Sequence, residues 1–163
     1  MIPLIPDGEW YLPAGIYRTD LSEIEDRFVK EAPFPDERQR VFEAFKLWIA
    51  LVRDLLPGAR FWINGGFVTH KTWAAPSDVD VMILVKSVDV NALSESEQGR
   101  FEQLLTDTSG PRVQPMSGLV DAFVCFRGDV GDTVYWKELW AEVLDQDRKQ
   151  IIGRKKGYLE VVL

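Results

Sequence analysis

Cysteine and histidine are almost missing: the 163-residue chain has one of each, Cys125 and His70. A lone cysteine forms no internal disulfide, and without a Cys/His set there is no zinc site, so any metal here has to be held by carboxylates. Long apolar runs are also absent. Nothing approaches the roughly 18 consecutive apolar residues of a membrane span, and the opening Met1-Ile-Pro-Leu-Ile-Pro6 lacks the basic start and long apolar stretch of a signal peptide. The reading is a cytoplasmic protein with no membrane contact. Positive charge is in deficit: 19 basic against 26 acidic residues leave a net charge of -7, which excludes a general attraction to nucleic acid while leaving local basic patches. What the chain does have is the balance of a globular domain, 46% hydrophobic and 28% charged, at a length that buries a core without staples.

Six of the nine prolines lie in the first 57 residues, which predicts an extended, proline-rich arm over residues 1–35 with one short helix near Leu21 to Lys30. The remainder, residues 36–163, reads as the folded domain. Val41, Phe45, Trp48, Val52 and Leu55 recur at helical spacing between Pro35 and Pro57-Gly58. Arg60 to Asn64 reads as a strand ending in the Gly65-Gly66 turn, with a short helix expected between that turn and Pro76. Asp78 to Val85, DVDVMILV, reads as the central strand, wet at its first end and buried at its second. Ser94 and Glu97 form a capping box for a helix with Phe101, Leu104 and Leu105 on its inner face. Thr108 to Met116 reads as a loop and Leu119 to Phe126 as a strand. Asp132 or Thr133 is then expected to cap a helix that buries Trp136, Leu139, Trp140 and Val143. The basic loop Arg154-Lys155-Lys156-Gly157 leads into a last strand, Tyr158 to Leu163. Helices interleaved with strands give an α/β or α+β domain with a mixed sheet.

The chemistry is concentrated between Asn64 and Val81. Residues two apart on a strand share a face, so Asp78 and Asp80 point the same way while Val79 and Val81 anchor the other face. Two adjacent carboxylates repel unless a cation lies between them, and a hard divalent ion held by one or two carboxylates together with substrate phosphates meets that need. Gly65 and Gly66 offer backbone N–H groups without Cβ atoms, which lets a polyphosphate come close. Asp121, near the start of the Leu119 to Phe126 strand, is a third acid that a neighbouring strand would bring beside the pair; Asp129, Asp132 and Glu102 are the other acids that compete for that place. Three carboxylates suffice for two metals and an in-line phosphoryl displacement.

Gly65-Gly66, eleven residues, Asp78-Val79-Asp80 and then a later strand acid resemble the signature of the DNA polymerase beta-like nucleotidyltransferases. The resemblance implies a minimal nucleotidyltransferase fold, with Asp78, Asp80 and Asp121 as catalytic metal ligands for Mg2+ or Mn2+. It also implies Gly65 and Gly66 as the phosphate turn, with Thr69 and Lys71 beside them at the nucleotide. The activity implied is transfer of NMP from an NTP, ATP first among them, to an acceptor that is RNA, protein or a small molecule, with release of pyrophosphate. Leu12-Pro13-Ala14-Gly15-Ile16 and Lys156-Gly157-Tyr158-Leu159-Glu160-Val161 look like the two terminal signatures of a small bacterial nucleotidyltransferase-like family. The chain has no room for a large helical acceptor domain, so the acceptor site is expected from the arm, a second copy of the chain or a partner protein. Two further readings go with the resemblance: a toxin-antitoxin or phage-defence component that modifies RNA or protein, and a catalytically silent domain that binds nucleotide or a partner.

The other conspicuous residues have plainer readings. His70 and Lys71 lie where they could touch phosphate or acceptor, although exposed helix positions are the simpler expectation. Arg148, Lys149, Arg154, Lys155 and Lys156 read as a solvated loop before they read as a dock for nucleic acid. Trp48, Trp62, Trp136 and Trp140 fall on apolar stripes and are expected in the core, and Cys125, sharing a strand face with Phe123, reads as a buried thiol.

Overall fold

Val79–Val85 (β3) alternates between two buried faces, and the computed structural model, which describes residues 1–163, shows what covers each. The chain runs β1 (Ile16–Thr19), α1 (Leu21–Glu25, continued as one π-turn through Lys30), α2 (Pro35–Leu55), β2 (Arg60–Asn64), β3, α3 (Ser87–Asn91), α4 (Glu95–Glu102), the single left-handed turn α5 (Pro115–Gly118), β4 (Val120–Phe126), α6 (Val130–Trp140), β5 (Glu142–Leu144), β6 (Gln150–Lys155) and β7 (Tyr158–Val161). It is a mixed α/β fold. Five strands form one sheet in the order β1-β7-β2-β3-β4, parallel at its two outer pairs and antiparallel in the middle; β5 and β6 make a separate hairpin.

On one face, Phe61, Ile63, Val79, Val81, Ile83, Val120, Ala122, Leu159 and Val161 bury against the predicted stripe of α2. Trp48 in that stripe donates its indole N–H to the Leu104 carbonyl (2.8 Å), so burying the ring leaves no donor unpaired. On the other face Trp62, Met82, Leu84, Cys125 and Tyr158 pack with Trp140 at the end of α6. With α2 on the first face, Asp80 and Asp121 lie on the second, where α6 and the β5–β6 hairpin line a cavity beside them.

Several expectations change. The proline-rich stretch is not an arm: Ile16–Thr19 is an edge strand of the sheet, and Leu12, Ile24, Phe28 and Val29 are core residues. The pairing that makes it so joins residues 16–19 to 158–161, too distant in sequence for local pattern to reveal. β2 holds the central place and β3 is the interior strand beside it. No helix follows Gly65-Gly66; residues 65–68 form a turn and Thr69 bridges Tyr11 instead. The cause is Arg38 of α2, whose buried guanidinium donates to the carbonyls of Phe67 (2.7 Å) and Thr69 (2.7 Å) and so removes them from any helical ladder. α6 is capped by Asp129, whose carboxylate accepts from the Asp132 N–H (3.0 Å), and it ends at Trp140, its one buried residue; Leu139 is exposed, Trp136 is half-buried, and buried Val143 belongs to β5. Part of the expected basic loop, Arg154 and Lys155, is the end of β6.

Candidate active site

A cavity of about 920 Å³ opens at the end of the sheet where β2, β3 and β4 present Asn64, Asp80 and Asp121. Asp80 and Asp121 are register partners on parallel neighbouring strands and therefore share a face, and Asp78 stands at the mouth of β3. All three line the cavity, as do Gly65, Gly66, Thr69 and Lys71; Asp129, Asp132 and Glu102 do not. Burial pushes the Asp80 carboxyl up to about 6, and the charges of Asp78 and Asp121 push the same way.

The glycines are shaped by this group. Gly65 has φ 77°, and a Cβ there would collide with the Asp80 carboxylate. Over Gly66 lies the ammonium of Lys71, with Nζ 2.9 Å from where a Cβ would sit. Thr69 closes the turn, its hydroxyl donating to the Gly66 carbonyl (2.8 Å), so its proton is not offered to the cavity. His70 faces away: its Nε2 meets the Arg27 carbonyl at 2.7 Å and its ring packs edge-on to Phe28.

Three cations face the acids. Lys71, Arg148 and Lys156 line the same cavity, and none takes part in an ion pair. Burial lowers the Lys71 ammonium, and the charges of Arg38 and Arg148 lower it further. Burial likewise pushes Lys156 down to about 8; Asp80 opposes that fall and Lys71 adds to it. Arg148 reaches the site from the β5–β6 turn, where it holds a left-handed backbone at φ 62°.

The loop before β4 touches the acids directly. Arg112 forms an ion pair with Asp121, which also accepts from the Thr106 hydroxyl (2.7 Å), and Gln114 donates to Asp78 (2.7 Å). As a result no group of three His, Cys, Asp or Glu side chains surrounds a common metal position, and the expected convergence of the three carboxylates is replaced by these contacts. The donor set still suits a hard divalent cation: three acids share one cavity, Asp80 is raised by burial and further by the other two, and Asp121 already holds a positive group in Arg112.

A model of a family of unknown function matches residues 6–162. The chain belongs to that family, DUF6932. No curated protein and no solved structure matches it. In this DUF6932 chain Lys156 and Arg148, read from sequence first as a solvated loop, line the cavity, and Arg112 and Gln114 are the residues missed from sequence. Lys156 stands just before β7, two residues ahead of buried Tyr158, at the end of the loop rather than in its solvated middle. The other three sit in irregular segments whose position depends on distant contacts.

Proposed function

We propose that this protein is a metal-dependent nucleotidyltransferase that moves NMP from an NTP, ATP first among them, to an acceptor hydroxyl and releases pyrophosphate. The observation that carries the reading is the charge layout of one cavity: three acids on strand ends, three cations without ion-pair partners opposite them, and a glycine turn between. A polyanion carrying a divalent cation neutralises both sides at once, whereas an anion or a cation alone leaves one side uncompensated.

Asp78, Asp80 and Asp121 would hold Mg2+ or Mn2+, which when bound supplies positive charge to the α-phosphate and the leaving pyrophosphate. Gly65 and Gly66 let the phosphates approach the backbone, and Lys71, Arg148 and Lys156 balance their charge. Asp121, released from Arg112, accepts the proton of the acceptor hydroxyl. The reaction belongs to the cytoplasm, where NTPs are plentiful, and the acceptor comes from a partner or a second copy if the cavity itself does not bind it. The Arg112–Asp121 pair favours one second reading: a silent nucleotide-binding domain in which the arginine keeps the place of the cation.

Incubation with each α-labelled NTP and Mg2+ or Mn2+ in cell lysate, with and without ribonuclease, tests this. Label transfer that Asp80→Asn abolishes without loss of fold supports the enzyme; nucleotide binding with no transfer to any acceptor supports the silent domain. Transfer that persists in Asp80→Asn overturns the site.

A further inference from the structure

The site is laid out as a row across the sheet. β2 ends in the Gly65-Gly66 turn, β3 beside it carries Asp80, and β4 beyond carries Asp121. In an in-line transfer the entering and leaving oxygens lie on opposite sides of the phosphorus. With pyrophosphate drawn toward the glycines and Lys71, the acceptor must enter from the β4 flank.

That flank is aromatic. Phe123 lies two residues from Asp121 on the same face of β4, and its ring packs against Trp136 of α6 with centroids 5.3 Å apart and planes at 34°. Both rings are half-buried and line the cavity, and the Arg112 guanidinium lies 5.7 Å from the centre of Phe123.

Building on the nucleotidyltransferase reading, we propose that Phe123 and Trp136 are the acceptor platform and that the acceptor is the terminal nucleoside of a single-stranded RNA. The spacing selects it. Positions two apart on a strand are separated by roughly 6–7 Å, so a ring stacked on this platform is one step away from Asp121. A ribose hydroxyl stands a sugar's length from its base and spans that step, whereas a tyrosine hydroxyl sits on its own ring and falls short. Aromatic rings with an arginine alongside are how unpaired bases are held. A net charge of -7 gives no general attraction to the strand, so recognition is centred on its end, beside the cations of the cavity. In the reaction the terminal ribose oxygen bonds to the α-phosphorus and the bond to the bridging oxygen breaks. Pyrophosphate leaves with that electron pair, and the ribose proton passes to Asp121.

The test uses the full chain, Mn2+, each NTP and a 5′-labelled single-stranded RNA octamer with a free 3′ end. Lengthening of the octamer is expected, and none when its terminal hydroxyls are blocked. Trp136→Ala should raise the octamer KM about tenfold or more while leaving the NTP KM within about twofold, and Trp136→Phe should restore it. The melting shift given by a non-hydrolysable ATP analogue with Mn2+ reports whether fold and donor side survive each substitution. An unchanged octamer KM in Trp136→Ala overturns the platform, and with α-labelled NTP in a parallel reaction, label on protein tyrosine rather than on the octamer overturns the RNA acceptor. Analogue binding without octamer extension overturns this proposal and leaves the nucleotide reading standing; no analogue binding by the wild type overturns both.

Discussion

The backbone of Gly65 lies against the carboxylate of Asp80, leaving no room for a side chain between them. Gly65→Ala therefore meets two penalties, a left-handed φ of 77° and a collision with the acid. It should destabilise the chain by about 2 kcal/mol or more in urea denaturation. Gly58→Ala, with open space around its Cβ, should stay within about 0.5 kcal/mol of wild type.

Stability should carry the mark of Asp80. Its carboxyl is raised from an ordinary 3.8 to about 6, so between those values the folded chain holds a proton that the unfolded chain has lost. Stability from this group falls as pH rises through that window, and above it the penalty is complete, at most roughly 3 kcal/mol. In a chelating buffer Asp80→Asn should be more stable than wild type at neutral pH, and the advantage should vanish near the lower end of the window. Parallel pH profiles for the two proteins would exclude this.

Arg112 competes with any cation for Asp121. Its side chain is 51% exposed whereas that of Asp121 is 8% exposed, so the buried carboxylate needs a positive partner and a metal ion can take the arginine's place. Arg112→Met should tighten Mn2+ binding about five- to tenfold by calorimetry without nucleotide. Unchanged affinity would mean that the arginine does not stand in the cation's place.

Arg38 donates to four backbone carbonyls, those of Phe28, Pro33, Phe67 and Thr69, and has no carboxylate partner. Arg38→Met strands several buried acceptors and should cost about 3 kcal/mol or more, with amide exchange accelerating first in the 65–70 segment. Lys cannot reproduce the fork and should rescue little.

The elements legible in the sequence are those whose signals are local: the stripe of α2, the capping box at Ser94, and β2, β3 and β4 with their alternation. β1 was hidden because its meaning lies in a partner at the other end of the chain. β6 was hidden because most of its residues are exposed and Gly153, at φ 80°, interrupts the strand pattern. Trp140 and Val143 misled in another way. Both are buried and three apart, which fits one helix, yet the chain changes from α6 to β5 between them. At the site, Asp78, Asp80, Gly65 and Gly66 lie within one short stretch and were readable together. Lys156 and Arg112 come from elements that only the tertiary fold brings to the cavity.

β7 is inserted between β1 and β2, and Gly157 passes so close to the Pro13 carbonyl that a Cβ would strike it. A chain emerging from the ribosome therefore has β1 and β2 ready with nothing to join them. The sheet closes only once residues 158–161 are free. Until then both strands expose unpaired edges and Lys156 has not reached the cavity, so nascent or clipped chains should be prone to edge-to-edge association and should lack a complete cavity.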